Sequence, residues 1–430
     1  MQALICLRTS RIEAVSSKIL SVQDSKRWRR QSSNATQRRR DLPAEPPEPE
    51  FRGLPNRAIL SLVLTLCGFG LMAVYSASAP EALQSFHDST VFLRRQAIAC
   101  LIGLFTMFSI SRYDYRKLKK WAWPFALVSL VLLGLVLVPG LSVTTMGSSR
   151  WLAIGPIQFQ PSEFCKVAAI ILLAAGLSKH FWWHKQIFIR IAVSMVMAVI
   201  IVKEPDLGSA LMIIGSIFAL LFVSGINGIL VSVLGVGGGI YIWHHIQKTP
   251  YQMARIQSWL NPYLSPQKDG WNIIQAQLAI GSGGLLGVGF GRSLQKLYYL
   301  PVQHADFIFA VIAEEFGLLG CLVLLTLFSL FGYYGFKTAM EARTLFGRLL
   351  AIGITSSICL QAVVNVMVTT GLLPVTGITL PFISYGGTSL VITLTMVGIL
   401  LSVSRDTGKL VEDDEFGENA ADPSEPAPAQ

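Results

Sequence analysis

The sequence predicts an all-α integral membrane protein, a polytopic bundle of about ten transmembrane helices, and three observations carry that reading. Hydrophobic residues make up 52% of the 430 and charged residues only 14%, roughly half the ~25% usual for a soluble domain. Mean hydropathy is +0.54. Apolar runs of about 20 residues, the length that crosses ~30 Å of hydrocarbon at about 1.5 Å per residue, recur along most of the chain. Whole-chain disorder, a disulfide-stapled secreted fold and a cytosolic enzyme are thereby excluded.

Taken in order, the chain opens with residues 1–56, a basic arm carrying Lys26, Arg27, Arg29, Arg30, Arg38, Arg39 and Arg40 and the run Pro43-Ala44-Glu45-Pro46-Pro47-Glu48-Pro49-Glu50. Such a stretch buries too little apolar surface to fold alone and reads as a disordered cytoplasmic extension. Met1 to Leu20 is broken by Arg8, Arg11, Glu13 and Lys18, so no cleaved signal is expected and the first span directs insertion. Spans are predicted near 57–79, 94–111, 121–139, 162–178, 187–203, 207–224, 227–246, 306–336, 347–371 and 382–403. Residues 57–403 form the membrane domain, 247–305 its large extracytoplasmic loop between helices 7 and 8, and 404–430 a disordered acidic cytoplasmic tail with Glu412, Asp413, Asp414 and Glu415.

Orientation follows from the short loops rich in Lys and Arg. Arg112, Arg116, Lys117, Lys119 and Lys120 follow the second span, Lys179, Lys185 and Arg190 the fourth, and Lys337, Arg343 and Arg348 the eighth. All fall on one side of a ten-span chain, which places both termini in the cytoplasm. The net charge of +10 therefore reports topology and a basic arm near an anionic leaflet. No nucleic-acid motif accompanies it, and no nucleic-acid partner is expected. The cysteines at 6, 67, 100, 165, 321 and 359 match neither a zinc site nor a disulfide framework.

Ionisable residues at membrane depth are functional candidates because hydrocarbon offers charge no hydration. In the long loop, Trp271, Ile274 and Leu278 share one face of a short helix predicted to lie on the outer surface. Gly281, Gly283, Gly284, Gly287, Gly289 and Gly291 follow; the spacing is not that of a dinucleotide fold, leaving a close-packed re-entrant turn or a backbone cradle for phosphate. Gln295 and Lys296 precede Leu300-Pro301, His304 and Asp306 at the mouth of the eighth span. Asp306 either begins a helix favourably or acts as a general base toward a hydroxyl nucleophile. Arg150-Trp151 precedes Gln160-Pro161-Ser162-Glu163, with Lys166 an i,i+3 partner of Glu163, and Glu204-Pro205-Asp206 forms an acidic turn. These are compensated ion pairs, or together with Asp306 a mixed-charge outward cavity for phosphate and sugar, which Glu314 or Glu315 would complete.

Several stretches, in order over roughly 57–403, carry a resemblance. They are Tyr75-Ser76-Ala77-Ser78; Gln160-Pro161-Ser162-Glu163 with Lys166; Pro205-Asp206-Leu207-Gly208; Ala279-Ile280-Gly281-Ser282-Gly283-Gly284; His304 with Asp306-Phe307-Ile308-Phe309-Ala310; Glu314-Glu315; and Gly371-Leu372-Leu373-Pro374-Val375-Thr376-Gly377 with Pro381-Phe382 and Ser384-Tyr385-Gly386-Gly387. The chain resembles the SEDS family (shape, elongation, division and sporulation), its Gln295-Lys296 and long basic arm being closer to the division members than to the elongation members. The resemblance implies a ten-helix peptidoglycan glycosyltransferase of the bacterial inner membrane that polymerises lipid II, during septal wall synthesis, with a class B penicillin-binding transpeptidase and other division-machinery membrane proteins. It implies Asp306 as the essential aspartate and Glu163 and Lys166 as important positions; Arg150, Gln295, Lys296, His304 and Ser384 are read with those two as substrate-binding candidates, and a divalent cation (Mg or Mn) as a candidate aid to the leaving diphosphate. Val302, Ala305 and Thr379 depart from the family pattern, where a glutamate, a threonine and a proline are frequent. A lipid II flippase and a non-enzymatic division scaffold are the alternative readings.

Overall fold

A computed structural model of the protein describes residues 53–406 apart from 139, 141, 146–147, 155–156, 180–184, 205, 227, 268–269 and 298–303. The basic arm, nearly all of the acidic tail and the Tyr299-Leu300-Pro301 stretch lie outside the described residues. The chain is mostly helical: α1 Arg57–Phe86, α2 Val91–Ser111, α3 Leu118–Val136, α4 Pro161–Leu177, α5 Lys185–Lys203, α6 Leu207–Val223, α7 Gly228–Lys248, α8 Pro250–Leu260, α9 Trp271–Gly283, α10 Ile308–Glu341, α11 Leu345–Thr369 and α12 Gly387–Ser404. Among the described residues seven helices are long and apolar enough to cross a membrane, namely α1, α2, α3 with the turn before it, α5, α10, α11 and α12. The protein is a multi-pass membrane protein. α4 and α6 are apolar but only 17 residues each.

Local chemistry fixes the helix ends. Asn56 caps α1 by accepting from the Ala58 and Ile59 amides at 2.9 and 3.3 Å, Asp206 caps α6 through the Ser209 amide at 3.1 Å, and the Thr344 hydroxyl caps α11 through Gly347 at 3.0 Å; each satisfies amides that a helix start leaves orphaned. At the centre stands α4, buried along its whole length except at Phe164 and packed among α3, α5, α6, α11 and α12. α12 lies along α2, and α10 packs against α1 and α11.

Three features depart from the sequence reading. The fold is not wholly α: between α3 and α4 the chain forms an antiparallel sheet of β1 Ser142–Thr145, β2 Ser148–Ile154 and β3 Ile157–Phe159, with Val143 opposite Trp151 and Leu152 opposite Phe159. The strands are too short, and too lightly patterned, to stand out beside apolar helices. α9 does form over the predicted segment, but it packs on α10 through Ile273, Ala276, Ala279 and Gly283, while Leu278 is half exposed. Small side chains on that face admit close approach, which the choice of Trp271, Ile274 and Leu278 missed.

The third is a break in α10. Gly317 (φ 63°, ψ −165°) interrupts the helix, and the glycine-rich turn after α9 fills the gap. The Val288 and Gly289 amides donate to the Glu314 and Glu315 carbonyls at 2.9 and 3.1 Å, while the Leu318 and Leu319 amides donate to Gly284 and Leu285 at 2.9 and 3.2 Å. A packed re-entrant turn is what this backbone makes, and its amides at 288 and 289 are spent on α10 rather than offered to phosphate. A Cβ on Gly283 would meet the Ala313 carbonyl oxygen at 2.0 Å. Gly283→Ala is therefore expected to destabilise the protein by about 1–3 kcal/mol, as overpacking does; an unchanged thermal midpoint in detergent would show that this contact is not as tight as described.

Candidate active site

One extended segment, Val375 to Leu380, organises the site, because four side chains, from α8, α11 and the turn before α12, grip its backbone. Arg255 of α8 donates to the Val375 carbonyl at 3.0 Å, Asn365 of α11 to Ile378 at 2.7 Å, Gln361 of α11 to Thr379 at 3.0 Å, and the Leu380 amide donates to the Ser384 hydroxyl at 2.8 Å. Gly377 adopts φ 73°, and the point where a Cβ would sit lies 3.6 Å from Asp306 Oδ2 and 3.7 Å from Arg150 Nη1. A side chain there would stand between the carboxylate and the guanidinium.

Asp306 lies two residues before the start of α10. Its carbonyl accepts from Asn365 at 3.0 Å, and the preceding carbonyl, Ala305, accepts from the Ser384 hydroxyl at 2.6 Å. Both neighbours fix the backbone, leaving the carboxylate unencumbered by them. Burial pushes the Asp306 carboxyl above the usual carboxylate range; Arg255, Arg150 and His304 pull it back in that order, and Asp206 adds to the rise. The result is a carboxylate more basic than a solvated one, with guanidinium groups within reach of its field.

Arg150, carried on β2, reaches Asp206 at 3.7 Å. Asp206 also accepts from Gln160 Nε2 at 3.1 Å and Ser162 Oγ at 3.4 Å. Beneath them, Glu163 and Lys166 pair at 2.8 Å, almost fully buried, and Lys166 donates to Gln361 Oε1 at 2.8 Å. That link joins the pair to the Val375–Leu380 segment and hence to Asp306. Glu204 is buried, and its Oε1 has no hydrogen-bond partner among the described residues. Burial, then the charge of Asp206, pushes its carboxyl up to about 8 against the pull of Arg150. The folded protein thus holds a proton there that the unfolded chain releases near pH ~4.5, so stability falls as pH rises from there to about 8. Glu204→Gln removes this slope: its thermal midpoint should change less between pH 6 and pH 8 than the parent's, and an equal change would place the titration elsewhere.

The other candidates group apart. Lys296 is buried against Glu315 at 2.8 Å and Ser76 Oγ at 3.0 Å, and Ser76 donates to Glu315 at 2.6 Å. Glu314 accepts from the Leu294 and Gln295 amides at 2.9 and 3.4 Å and from Ser293 Oγ. Both glutamates thus turn to the loop that precedes them and pin it to α1 and α10. The Gln295 side-chain oxygen is buried without a partner among the described residues. His304 sits at 3.2 Å from Glu81. Sequence reasoning missed Arg255, Gln361, Asn365 and Glu81. Gln361 and Asn365, one turn apart in the apolar C-terminal half of α11, were the readable signal; Arg255 lay in a loop helix with nothing to connect it to Asp306.

The candidate cation was tested against these donors. Asp206 pairs with Arg150, and although the charge of Asp206 reaches both Glu204 and Asp306, among the described residues no three His, Cys, Asp or Glu side chains are placed to hold a metal ion. The donor set does not fit a resident divalent cation, and the positive charge of the site is that of arginine and lysine.

A multi-span helical bundle with raised carboxyls at Asp306 and Glu204 set beside arginines defines a polytopic membrane protein with a charged site between its helix ends. The chain belongs to the FtsW/RodA/SpoVE family of cell cycle proteins, which its residues 57–409 match. It is 40% identical over 355 residues to a probable peptidoglycan glycosyltransferase FtsW of Trichlorobacter lovleyi, covering 80% of this chain and 92% of that protein. It is 40% identical over 359 residues to stage V sporulation protein E of Bacillus subtilis, covering 82% and 97%. Among solved structures it resembles a chain of a peptidoglycan synthase complex that coordinates polymerization and crosslinking, with TM-score 0.68 and 31% identity over 82% of this chain and 98% of that one. It also resembles the rod shape determining protein RodA of Thermus thermophilus, with TM-score 0.62 and 30% identity over 83% and 98%.

Proposed function

We propose that the protein is a peptidoglycan glycosyltransferase that polymerises lipid II into glycan strands on the outer side of the bacterial inner membrane, at the division septum, as a ten-span protein with both termini cytoplasmic. The observation that carries the chemistry is the Asp306 carboxylate, raised in basicity by burial and faced by Arg150 and Arg255. Asp306 takes the proton of the acceptor sugar 4-hydroxyl. That oxygen attacks the anomeric carbon of the donor, the bond to undecaprenyl diphosphate breaks with inversion, and a β-1,4 link forms. The electron pair leaves with the diphosphate, whose developing charge is met by Arg150 and Arg255. Lys166, already engaged by Glu163 and Gln361, steadies through Gln361 the segment that faces Asp306.

A class B penicillin-binding transpeptidase is the partner that the likeness to a synthase complex supports. The test is incubation of the purified protein and that partner with lipid II, reading glycan strands by gel and their linkage after muramidase digestion. Strands with β-1,4 links support the assignment. Movement of labelled lipid II across sealed vesicles without chain growth would replace it with a translocase.

A further inference from the structure

We propose that the glycine-rich turn between α9 and α10 docks into the membrane, with Leu285, Leu286 and Phe290 inserted among the acyl chains of the leaflet on the Asp306 side. Part of the segment read from sequence as an extracytoplasmic loop is then embedded in lipid. The inference rests on α10 as a membrane span, not on the chemistry proposed for Asp306.

The level of the turn is fixed by α10. After the break at Gly317 the first charged residue is Lys337, and the about 20 residues between them are what ~30 Å of hydrocarbon requires. Within that stretch Leu318, Leu319, Leu322 and Val323 are exposed and so face acyl chains. The exposed hydroxyls of Thr326 and Ser329 donate back to the Leu322 and Leu325 carbonyls at 2.7 and 2.8 Å, as suits a side of a helix that meets no water. The Leu318 and Leu319 amides donate to the Gly284 and Leu285 carbonyls at 2.9 and 3.2 Å. The turn therefore begins level with that lipid-facing surface and continues it. There Leu285 is 69% and Leu286 76% exposed, with Phe290 half-exposed. A contiguous apolar patch of this kind marks an interaction surface, and its continuity with α10 identifies the partner as lipid.

Two further observations fit immersion. Irregular backbone survives at membrane depth only where protein satisfies its polar groups. Here the Gly287, Val288 and Gly289 amides donate to Gly283, Glu314 and Glu315, and the Gly283, Gly284 and Leu285 carbonyls all accept. The Ser282 hydroxyl donates to the Ala279 carbonyl at 2.9 Å. Charge is arranged to match: residues 284–297 include no Asp or Glu, Lys296 is buried against Glu315, and exposed Arg292 follows Phe290 as a cation for headgroup phosphates. The Phe290 ring lies 6.1 Å from Phe316, which lies 5.6 Å from Phe69 of α1. The turn is thus fastened to two spans, and the lipid surface sets the height of the loop that leads to Asp306.

The test uses the full chain in lipid nanodiscs, its six cysteines replaced by alanine, with a nitroxide attached in turn to Leu286→Cys, to Leu322→Cys as the lipid-facing reference and to Gln84→Cys as an exposed reference near the end of α1. Collisions are measured with oxygen, which enters hydrocarbon, and with a nickel chelate, which hydrocarbon excludes. The ratio of the two at position 286 should match that at 322 and exceed that at 84 by about tenfold or more, given the cost of moving a polar solute out of water. A ratio at 286 equal to that at 84 places the turn in water and overturns the proposal. A label reached by neither collider is covered by protein and overturns it equally. The unaltered chain gives a second measure in vesicles containing a phospholipid with a diazirine midway along one acyl chain. Photoadducts are expected on Leu285, Leu286 or Phe290 as well as on Leu322 and Val323; adducts on α10 with none on the turn would also overturn the insertion.

Discussion

Asp306→Asn should reduce lipid II polymerisation by about 10²–10⁴-fold, the range a positioned general base supplies, while leaving the protein folded. The amide keeps the side-chain volume, and the two bonds that hold this backbone, from Asn365 to the Asp306 carbonyl and from Ser384 to the Ala305 carbonyl, do not involve the carboxylate. Replacing a group that burial disfavours in its charged form should leave the thermal midpoint equal to the parent's or higher. The pH behaviour is signed. Activity needs the ionised carboxylate, so it is lost as pH falls through the raised pKa of Asp306, and the acid limb should lie above the ordinary carboxylate range near ~4. Stability runs the other way, since the folded state retains the proton longer than the unfolded chain. Normal strand synthesis by the folded variant would end the assignment.

The second large effect concerns the Glu163–Lys166 pair. Lys166→Met leaves Glu163 buried with no cation at 2.8 Å and strips Gln361 Oε1 of its donor, which should destabilise the protein by about 3–5 kcal/mol, as breaking one side of a buried pair does. The double variant Lys166→Met with Glu163→Gln should recover a substantial part of that loss, because the isolated charge is gone. Thermal unfolding of the three variants beside the parent in detergent reads the coupling, and strictly additive losses would show that the two groups do not act as a pair. Activity should not return with stability, because Gln361 also tethers the Thr379 carbonyl and the segment that faces Asp306 moves with it.

The contrast between what was readable and what was not has a physical basis. The apolar segments announce themselves by length, since hydrocarbon admits only backbones that satisfy their own hydrogen bonds. Asp306, Glu163 and Lys166 were conspicuous for the complementary reason, as charges where charge is expensive. The Glu163–Lys166 pairing was legible from i,i+3 spacing alone. What escaped were relations between distant parts of the chain. Arg255 reaches Asp306's surroundings from a loop helix, Asn365 holds Asp306 from 59 residues away, and Ser384 braces the Ala305 carbonyl. β2, which carries Arg150, left no strand pattern strong enough to notice.

The break at Gly317 sets an order of assembly. The chain inserts from its N-terminus, so α9 and the glycine-rich turn precede α10 into place. Four hydrogen bonds then cross between that turn and the two halves of α10. Until they form, each unpaired amide or carbonyl in hydrocarbon costs several kcal/mol. The turn of α10 before Gly317 is therefore held by its own upstream loop, whereas the longer part after the break is apolar enough to span by itself. Two separate sets of contacts thus hold the start of α10: the glycine-rich turn at the break, and Asn365 and Ser384 at the end that bears Asp306.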